Sequence, residues 1–336
     1  MNTKQLKERA SLIKKIDTVN AKSFDEIALQ IFFYQYTYNE VYREYVDILD
    51  VNPNHLDSLL SIPFLPIQFY KSHIVSSRKE NESSRIFRSS TTTGKTPSVH
   101  NVYDIQLYHK SCEVSLLSSM DIQSREYQWI GLLPSYLERE DASLVEMVKY
   151  FNDQSKYKLT APFFLDQYEA LNKVLAHNKS NKIPTILVGV TFAILDWLET
   201  GPEDNMELML IETGGMKGRR KEMTRKELHD RINQSLKLKQ LSSEYGMTEL
   251  MSQAYWKEGS FRSPKQMRII GREITDPFQL NPKQRTVALN IVDLYNIDSC
   301  SFIATDDIGQ ILSTRKFKVT GRLDVADIRG CNLMVV

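Results

Sequence analysis

Residues 1–60 predict a mostly helical segment, with an aromatic block at Ile31-Phe32-Phe33-Tyr34-Gln35-Tyr36. A polar stretch, Ser76 to Ser90, follows. Beyond it, short apolar runs of strand character alternate with helical ones. Trp129–Leu133 precedes a helical Ser143–Phe151, Thr185–Val190 precedes Phe192–Leu198, and Glu207–Ile211 precedes Arg225–Leu236. Such alternation predicts a largely parallel sheet covered by helices. After Tyr255 the helical runs fade. Met267–Ile270, Thr286–Val292, Ser301–Ala304 and Phe317–Thr320 predict short strands, and a small antiparallel, barrel-like subdomain fits them. The expected organisation is an N-terminal helical segment over 1–60, an α/β core over 61–255, and a β-rich subdomain with a short tail over 256–336.

Composition narrows the class. The 336 residues carry 43 basic and 42 acidic side chains, a net charge of +1, which argues against nucleic acid held mainly by electrostatics. The first residues, Met1 to Arg9, mix charges without an apolar run, so no secretory signal is expected. The longest apolar stretch, Ile183 to Leu198, is interrupted by Pro184, Thr185, Thr191 and Asp196 and is too short and polar to span a bilayer. Cys112, Cys300 and Cys331 are few and odd in number, which suggests reduced thiols in a cytoplasmic protein.

The densest chemistry lies in Ser89-Ser90-Thr91-Thr92-Thr93-Gly94-Lys95-Thr96-Pro97-Ser98. Hydroxyls and backbone N–H groups hydrogen-bond phosphate oxygens, and Lys neutralises their charge. A solvated linker has the same composition, but two further motifs favour phosphate binding: Tyr245-Gly246-Met247-Thr248-Glu249, and Thr305-Asp306-Asp307-Ile308-Gly309 with Gly321-Arg322 beyond it. A Walker P-loop is disfavoured. Its first Gly is replaced by Ser89, and Pro97 turns Thr96 away from the helix that should follow. The six histidines show no metal-ligand spacing, and no Gly-x-Ser-x-Gly elbow exists.

In their order and joint presence these motifs resemble the adenylate-forming superfamily of acyl-activating enzymes. The narrower resemblance is to LuxE-type acyl-protein synthetases, the fatty-acid-activating component of the bacterial bioluminescence reductase complex. It rests on Phe64-Leu65-Pro66-Ile67-Gln68-Phe69, Leu133 to Arg139, Gly189 to Phe192, Thr213 to Arg219, Glu244 to Glu249 and Arg329-Gly330-Cys331, and runs from about Ile62 to the C-terminus. The resemblance implies the N-terminal domain of an adenylating enzyme, with mostly parallel sheets and a small antiparallel subdomain. The chain ends fifteen residues after Gly321, so the usual C-terminal lid domain is expected to be absent.

The resemblance also assigns roles. Ser89, Ser90, Thr92, Thr93, Gly94 and Lys95 would hold the β- and γ-phosphates of ATP, although Thr91 stands where Gly is common. Thr248 would bond the α-phosphate, and Glu249 would bind Mg²⁺. Tyr245 would stack on adenine, with Gly246 allowing close approach and Gly214 and Gly215 forming the opposite wall. Asp307 would accept the ribose hydroxyls, with Asp306 in the usual Gly place, and Arg322 would reach the ribose or α-phosphate. Lys217 to Lys221 is a candidate contact for pyrophosphate or a partner, or simply a solvated helix start. Phe192, Tyr136 and Met251 are candidates for the acyl pocket or for the core. Cys331 would accept the acyl group as a thioester, with Arg329 lowering its pKa, while Cys112 and Cys300 are expected to be buried packing residues. The leading expectation is therefore ATP- and Mg²⁺-dependent activation of a fatty acid or related carboxylic acid, with delivery through Cys331 to an acceptor protein or reductase. The alternatives are an acyl- or aryl-CoA ligase using free CoA, and a non-catalytic acyl- or nucleotide-binding protein.

Overall fold

The structure is a computed structural model, and it describes residues 1–78, 85–90, 96–133, 141–215, 223–281 and 284–323. The N-terminal segment is helical as expected: α1 (Thr3–Asp17), α2 (Phe24–Tyr38) and α3 (Glu40–Ile48). Asn2 Oδ1 accepts from Gln5 N and caps α1, and Asn39 Oδ1 caps α3 through Tyr42 N. Each satisfies an amide that a helix start leaves open. A clamp fixes α1 to the C-terminal half. Arg9 donates Nε and Nη2 to the two Asp298 oxygens at 2.7 and 2.5 Å, and Nη2 also reaches Asp104 at 2.9 Å.

Strand β1 (Leu65–Pro66) and the short helix α4 (Phe69–Ser72) follow. Then β2 (Arg85–Arg88) and β3 (Val99–Val102) form an antiparallel hairpin of their own, Arg85 opposite Val102 and Arg88 opposite Val99. The Ser/Thr-rich segment joins its two strands. A strand rather than a helix thus follows Pro97, which agrees with rejecting the P-loop.

The parallel layer has the order β5 (Phe163–Phe164), β4 (Gln128–Leu132), β6 (Thr185–Val190), β7 (Asn205–Thr213), β8 (Leu238–Tyr245). Strands β4 and β6 are buried throughout, which is why they read as unbroken apolar runs. Connecting helices are α6 (Ser143–Gln154), α7 (Tyr168–Ser180), α8 (Thr191–Leu198) and α9 (Arg225–Ser235). Thr224 and Glu227 close a capping box at the start of α9. The helix α5 (Ile105–Met120) lies between the hairpin and β4 and is not evident in the apolar pattern. Serines 111, 115 and 119 interrupt its buried face, and their hydroxyls bond Ser252, Gln253 N and the Arg262 carbonyl.

The antiparallel region comprises β9 (Ala254–Lys257), β10 (Ser260–Arg262), β11 (Met267–Arg272), β12 (Val287–Asp293), β13 (Phe302–Ser313) and β14 (Lys316–Arg322). It is hydrogen-bonded to the parallel layer, because β9 pairs antiparallel with β8 at Glu244–Tyr255 and Tyr245–Ala254. The order then runs β9-β10-β14-β13-β12-β11, so one mixed sheet crosses the 255/256 boundary. One cluster of buried side chains underlies the whole, with Trp129, Trp197 and Phe302 fully enclosed. Among the described residues no helix is long and apolar enough to cross a membrane.

Candidate active site

The site forms where β8 ends and the hairpin and β13 converge. Tyr245 is the last residue of β8, and the loop after it presents Gly246, Thr248 and Glu249. The β2–β3 hairpin docks on that loop at two points. His100, buried on β3, places Nδ1 2.8 Å from the Thr248 carbonyl oxygen. A carbonyl only accepts, so Nδ1 carries the proton. Burial holds this imidazole neutral, with its pKa lowered to about 4 despite the Thr248 and Asn296 contacts. The second point is Ser98, whose hydroxyl lies near the Glu249 carboxylate and favours its ionised form. Ser98 also closes the neck of the Ser/Thr-rich loop, since its N–H donates to Ser89 Oγ at 2.9 Å and its carbonyl accepts from Ser89 N at 3.1 Å. The loop therefore springs from a two-residue neck held beside Thr248 and Glu249.

Glu249 is buried, and burial raises its pKa, while Ser98, Arg322 and Lys71 act the other way. Its carbonyl is held by Asn296 Nδ2 at 2.7 Å. Mg²⁺ takes hard oxygen donors, keeps several waters, and often uses one or two protein carboxylates with substrate phosphates. A carboxylate near the Ser98 hydroxyl fits that donor set. Among the described residues no group of three His, Cys, Asp or Glu side chains forms a protein-only metal cage.

On the other side, the Tyr245 hydroxyl donates to Asp307 Oδ2 at 2.7 Å. Burial pushes the Tyr245 phenol well above its usual pKa and raises that of Asp307 as well. Arg322, opposite Asp307 in the β13–β14 ladder, places Nε 3.4 Å from Asp307 Oδ1 and Nη2 3.8 Å from Asp306 Oδ2. The exposed guanidinium thus bridges both carboxylates. Asp306 is taken up from its other side by Gln68 Nε2 at 2.6 Å. Adjacent strand residues face opposite ways, so of the two only Asp307 shares a face with Tyr245. The Tyr245 ring packs between Phe261 and Phe317, at 5.5 and 5.2 Å.

Gly214, at φ +76° after β7, takes a left-handed conformation that suits Gly. A Cβ added to it or to Gly215 would meet no atom within 4 Å, so the space beside both is open. A Cβ on Gly246 would collide with Glu244 Oε1. Glu244 in turn accepts from Thr213 Oγ1 at 2.5 Å, which ties the two glycine segments together. Of the residues singled out in the sequence, Ser89, Ser90, Gly214, Gly215, Tyr245, Gly246, Thr248, Glu249, Asp307 and Arg322 are described. Thr91, Thr92, Thr93, Gly94, Lys95, Tyr136, Lys217 to Lys221, Arg329 and Cys331 lie outside the described residues. Phe192 and Met251 are buried core side chains, and Cys112 and Cys300 are free and buried. His100 carries no sequence signal of its own, because a histidine stands out in sequence mainly through metal-ligand spacing. Glu244 and Gln68 carry none either, since their roles depend on contacts remote in the chain.

Burial, with the Glu212 charge beside it, lifts the Glu244 pKa from 4.5 to about 7, against the Thr213 hydrogen bond. Between these values the unfolded chain ionises this carboxyl while the folded chain keeps its proton, so stability falls as pH rises through the window. Glu244→Gln removes that contribution. Urea midpoints at pH 5 and pH 8 should show the variant gaining on wild type at the higher pH. A difference unchanged between the two would refute the raised pKa.

The sheet architecture is that of an adenylate-forming enzyme fold. Among solved structures, the open conformation of a 2-hydroxyisobutyryl-CoA ligase in complex with 2-HIB-AMP and CoA superimposes with a TM-score of 0.67 at 14% identity, over 93% of this chain and 78% of that one. The same ligase in its thioesterification state gives 0.65 at 13% identity, over 93% and 71%. An o-succinylbenzoate coenzyme A synthetase from Bacillus subtilis, in complex with AMP, gives 0.50 at 16% identity, over 72% and 50%. No curated protein sequence matches the chain. The family model for the LuxE acyl-protein synthetases matches residues 16–336, and the chain belongs to that family of adenylate-forming, acyl-activating ligases. The match takes in α2 and α3, so the family likeness begins well before Ile62.

Proposed function

We propose that this protein couples ATP to a carboxylic acid, a fatty acid in the leading reading, and passes the acyl group to the thiol of Cys331. The carboxylate oxygen attacks the α-phosphorus and pyrophosphate leaves. The Cys331 thiolate then attacks the acyl carbonyl, AMP leaves, and a thioester remains. Such chemistry depends mainly on positioning and charge stabilisation. The observation that carries the reading is the docking of the Ser/Thr-rich hairpin on Thr248 and Glu249 through His100 and Ser98. In this reading Ser89, Ser90, Thr92, Thr93, Gly94 and Lys95 hold the β- and γ-phosphates, Thr248 the α-phosphate, and Asp307 with Arg322 the ribose end. Tyr245 and Gly246, facing Gly214 and Gly215, border the adenine. Mg²⁺ at Glu249 would neutralise phosphate charge. The acyl group then passes to an acceptor protein or reductase, in the cytoplasm.

A second acceptor, free CoA, is favoured by one finding: the structural relatives named above are CoA ligases. Intact-protein mass spectrometry after incubation with Mg²⁺, ATP and a panel of fatty acids separates the two. A hydroxylamine-labile acyl adduct is expected on wild type and not on Cys331→Ser. AMP release with no adduct, together with CoA thioester formation by Cys331→Ser, would replace the protein thiol by CoA. ADP as product would reject adenylation.

A further inference from the structure

A pocket of ≈150 Å³ lies on the Asp306 side of β13, between α3, β1 and the segment after β11. Leu49, Pro63, Phe64, Pro66, Phe278 and Ala304 give it mostly apolar walls, and Arg272 and Asp306 supply its charges. Arg272 is only 7% exposed. Its Nε donates to Asn290 Oδ1 at 2.9 Å and its Nη2 to the Thr305 carbonyl at 2.6 Å, both neutral acceptors. Among the described residues Arg272 makes no ion pair, and Nη1 has no protein acceptor. The neighbouring Asn290 is fully buried, and its Nδ2 has no partner either. Buried guanidinium groups are ordinarily matched by a carboxylate, because an uncompensated buried charge is costly. Asp306, on the same pocket, offsets part of that cost through its charge, yet burial still lowers the Arg272 pKa, and Asp306 forms no ion pair with Arg272 because Gln68 and Arg322 lie against its oxygens.

We infer that this pocket binds a short-chain carboxylate, its oxygens on the Arg272 guanidinium and its hydrocarbon against Phe64, Pro66 and Leu49. Arg presents a planar fork suited to carboxylate. An apolar cavity of about 150 Å³ accommodates a molecule the size of benzene, which corresponds to an acid of about four to six carbons. The apolar walls favour such an acid over inorganic phosphate. The pocket is separate from the nucleotide face: it meets β13 through Asp306, whereas Asp307 points to Tyr245. The chain Gln68–Asp306–Arg322 nevertheless links the two.

Calorimetric titration of the full chain with isobutyrate, and separately with inorganic phosphate, tests the assignment without ATP. Saturable isobutyrate binding is expected, weakened at least tenfold by Arg272→Gln and by Leu49→Trp, and kept by Glu249→Gln. The Leu49 variant fills the pocket without touching the buried charge, so it decides the matter if Arg272→Gln does not fold. Three results would each overturn the inference: no isobutyrate binding, binding that survives Leu49→Trp but not Glu249→Gln, or phosphate binding as tightly as isobutyrate.

Discussion

Glu249→Gln is expected to lower acid-dependent ATP–pyrophosphate exchange by about 10²–10³-fold, the usual loss when one preorganised electrostatic contact to a developing charge is removed. The substitution keeps the side-chain volume, so the Asn296 hold on the backbone carbonyl survives. Only the negative charge goes. Because burial raises the Glu249 pKa, its ionised form is disfavoured in the folded state, and the amide should leave thermal stability unchanged or slightly higher at neutral pH. Loss of exchange with an intact melting transition would show that the carboxylate serves chemistry rather than folding. Exchange within tenfold of wild type would remove Glu249 from the proposed metal site. A protein that fails to fold would make it a structural residue.

The second large effect is expected at Gly309. A Cβ there would fall on the backbone carbonyl of Lys318 across the β13–β14 ladder, at a register shift between Ile308 and Gly309. Backbone cannot swing aside as a long side chain can, so relief requires the two strands to part. Overpacking of this kind typically costs about 1–3 kcal/mol, and Gly309→Ala should reach the upper end. Asp307 and Arg322 are paired in the same ladder, so the variant should also lose affinity for ATP. Gly321→Ala is the matched control: its Cβ would meet nothing within 4 Å, and a change within about 0.5 kcal/mol is expected. Urea midpoints and ATP titrations of the two variants provide the comparison. Equal stability for both would show that the strands already have room to separate.

The apolar pattern was sufficient for much of the fold. Fully buried parallel strands such as Thr185–Val190 must be apolar on both faces, so β4, β6 and β7 were legible without neighbours. The late strands β11 to β14 were legible because turns and polar residues separate short apolar runs. The helix α5 was not, since its buried serines look like surface until their partners on β10 and the segment before β9 are known. Nor was the hairpin β2–β3, whose first strand, Arg-Ile-Phe-Arg, sits in a stretch that reads as polar.

The same division holds for the site. The ordered motifs, and the family resemblance they carry, identified Thr248, Glu249 and the Ser/Thr-rich loop as candidates, because hydroxyls and a carboxylate suit phosphate and Mg²⁺. Motif alignment favoured Asp307 over Asp306, but chain order could not show that the Tyr245 hydroxyl lies 2.7 Å from Asp307, a contact between residues 62 apart. It also could not reveal that His100, 148 residues away from Thr248, anchors the loop to the motif, nor that Arg272 is buried without an ion pair among the described residues. Sequence by itself determined the buried parallel strands, the late strands and which chemistry is on offer, since these follow from side-chain character and near-neighbour spacing. Tertiary structure alone decided which groups meet, because burial, protonation and hydrogen bonding depend on partners that the chain brings together only when folded.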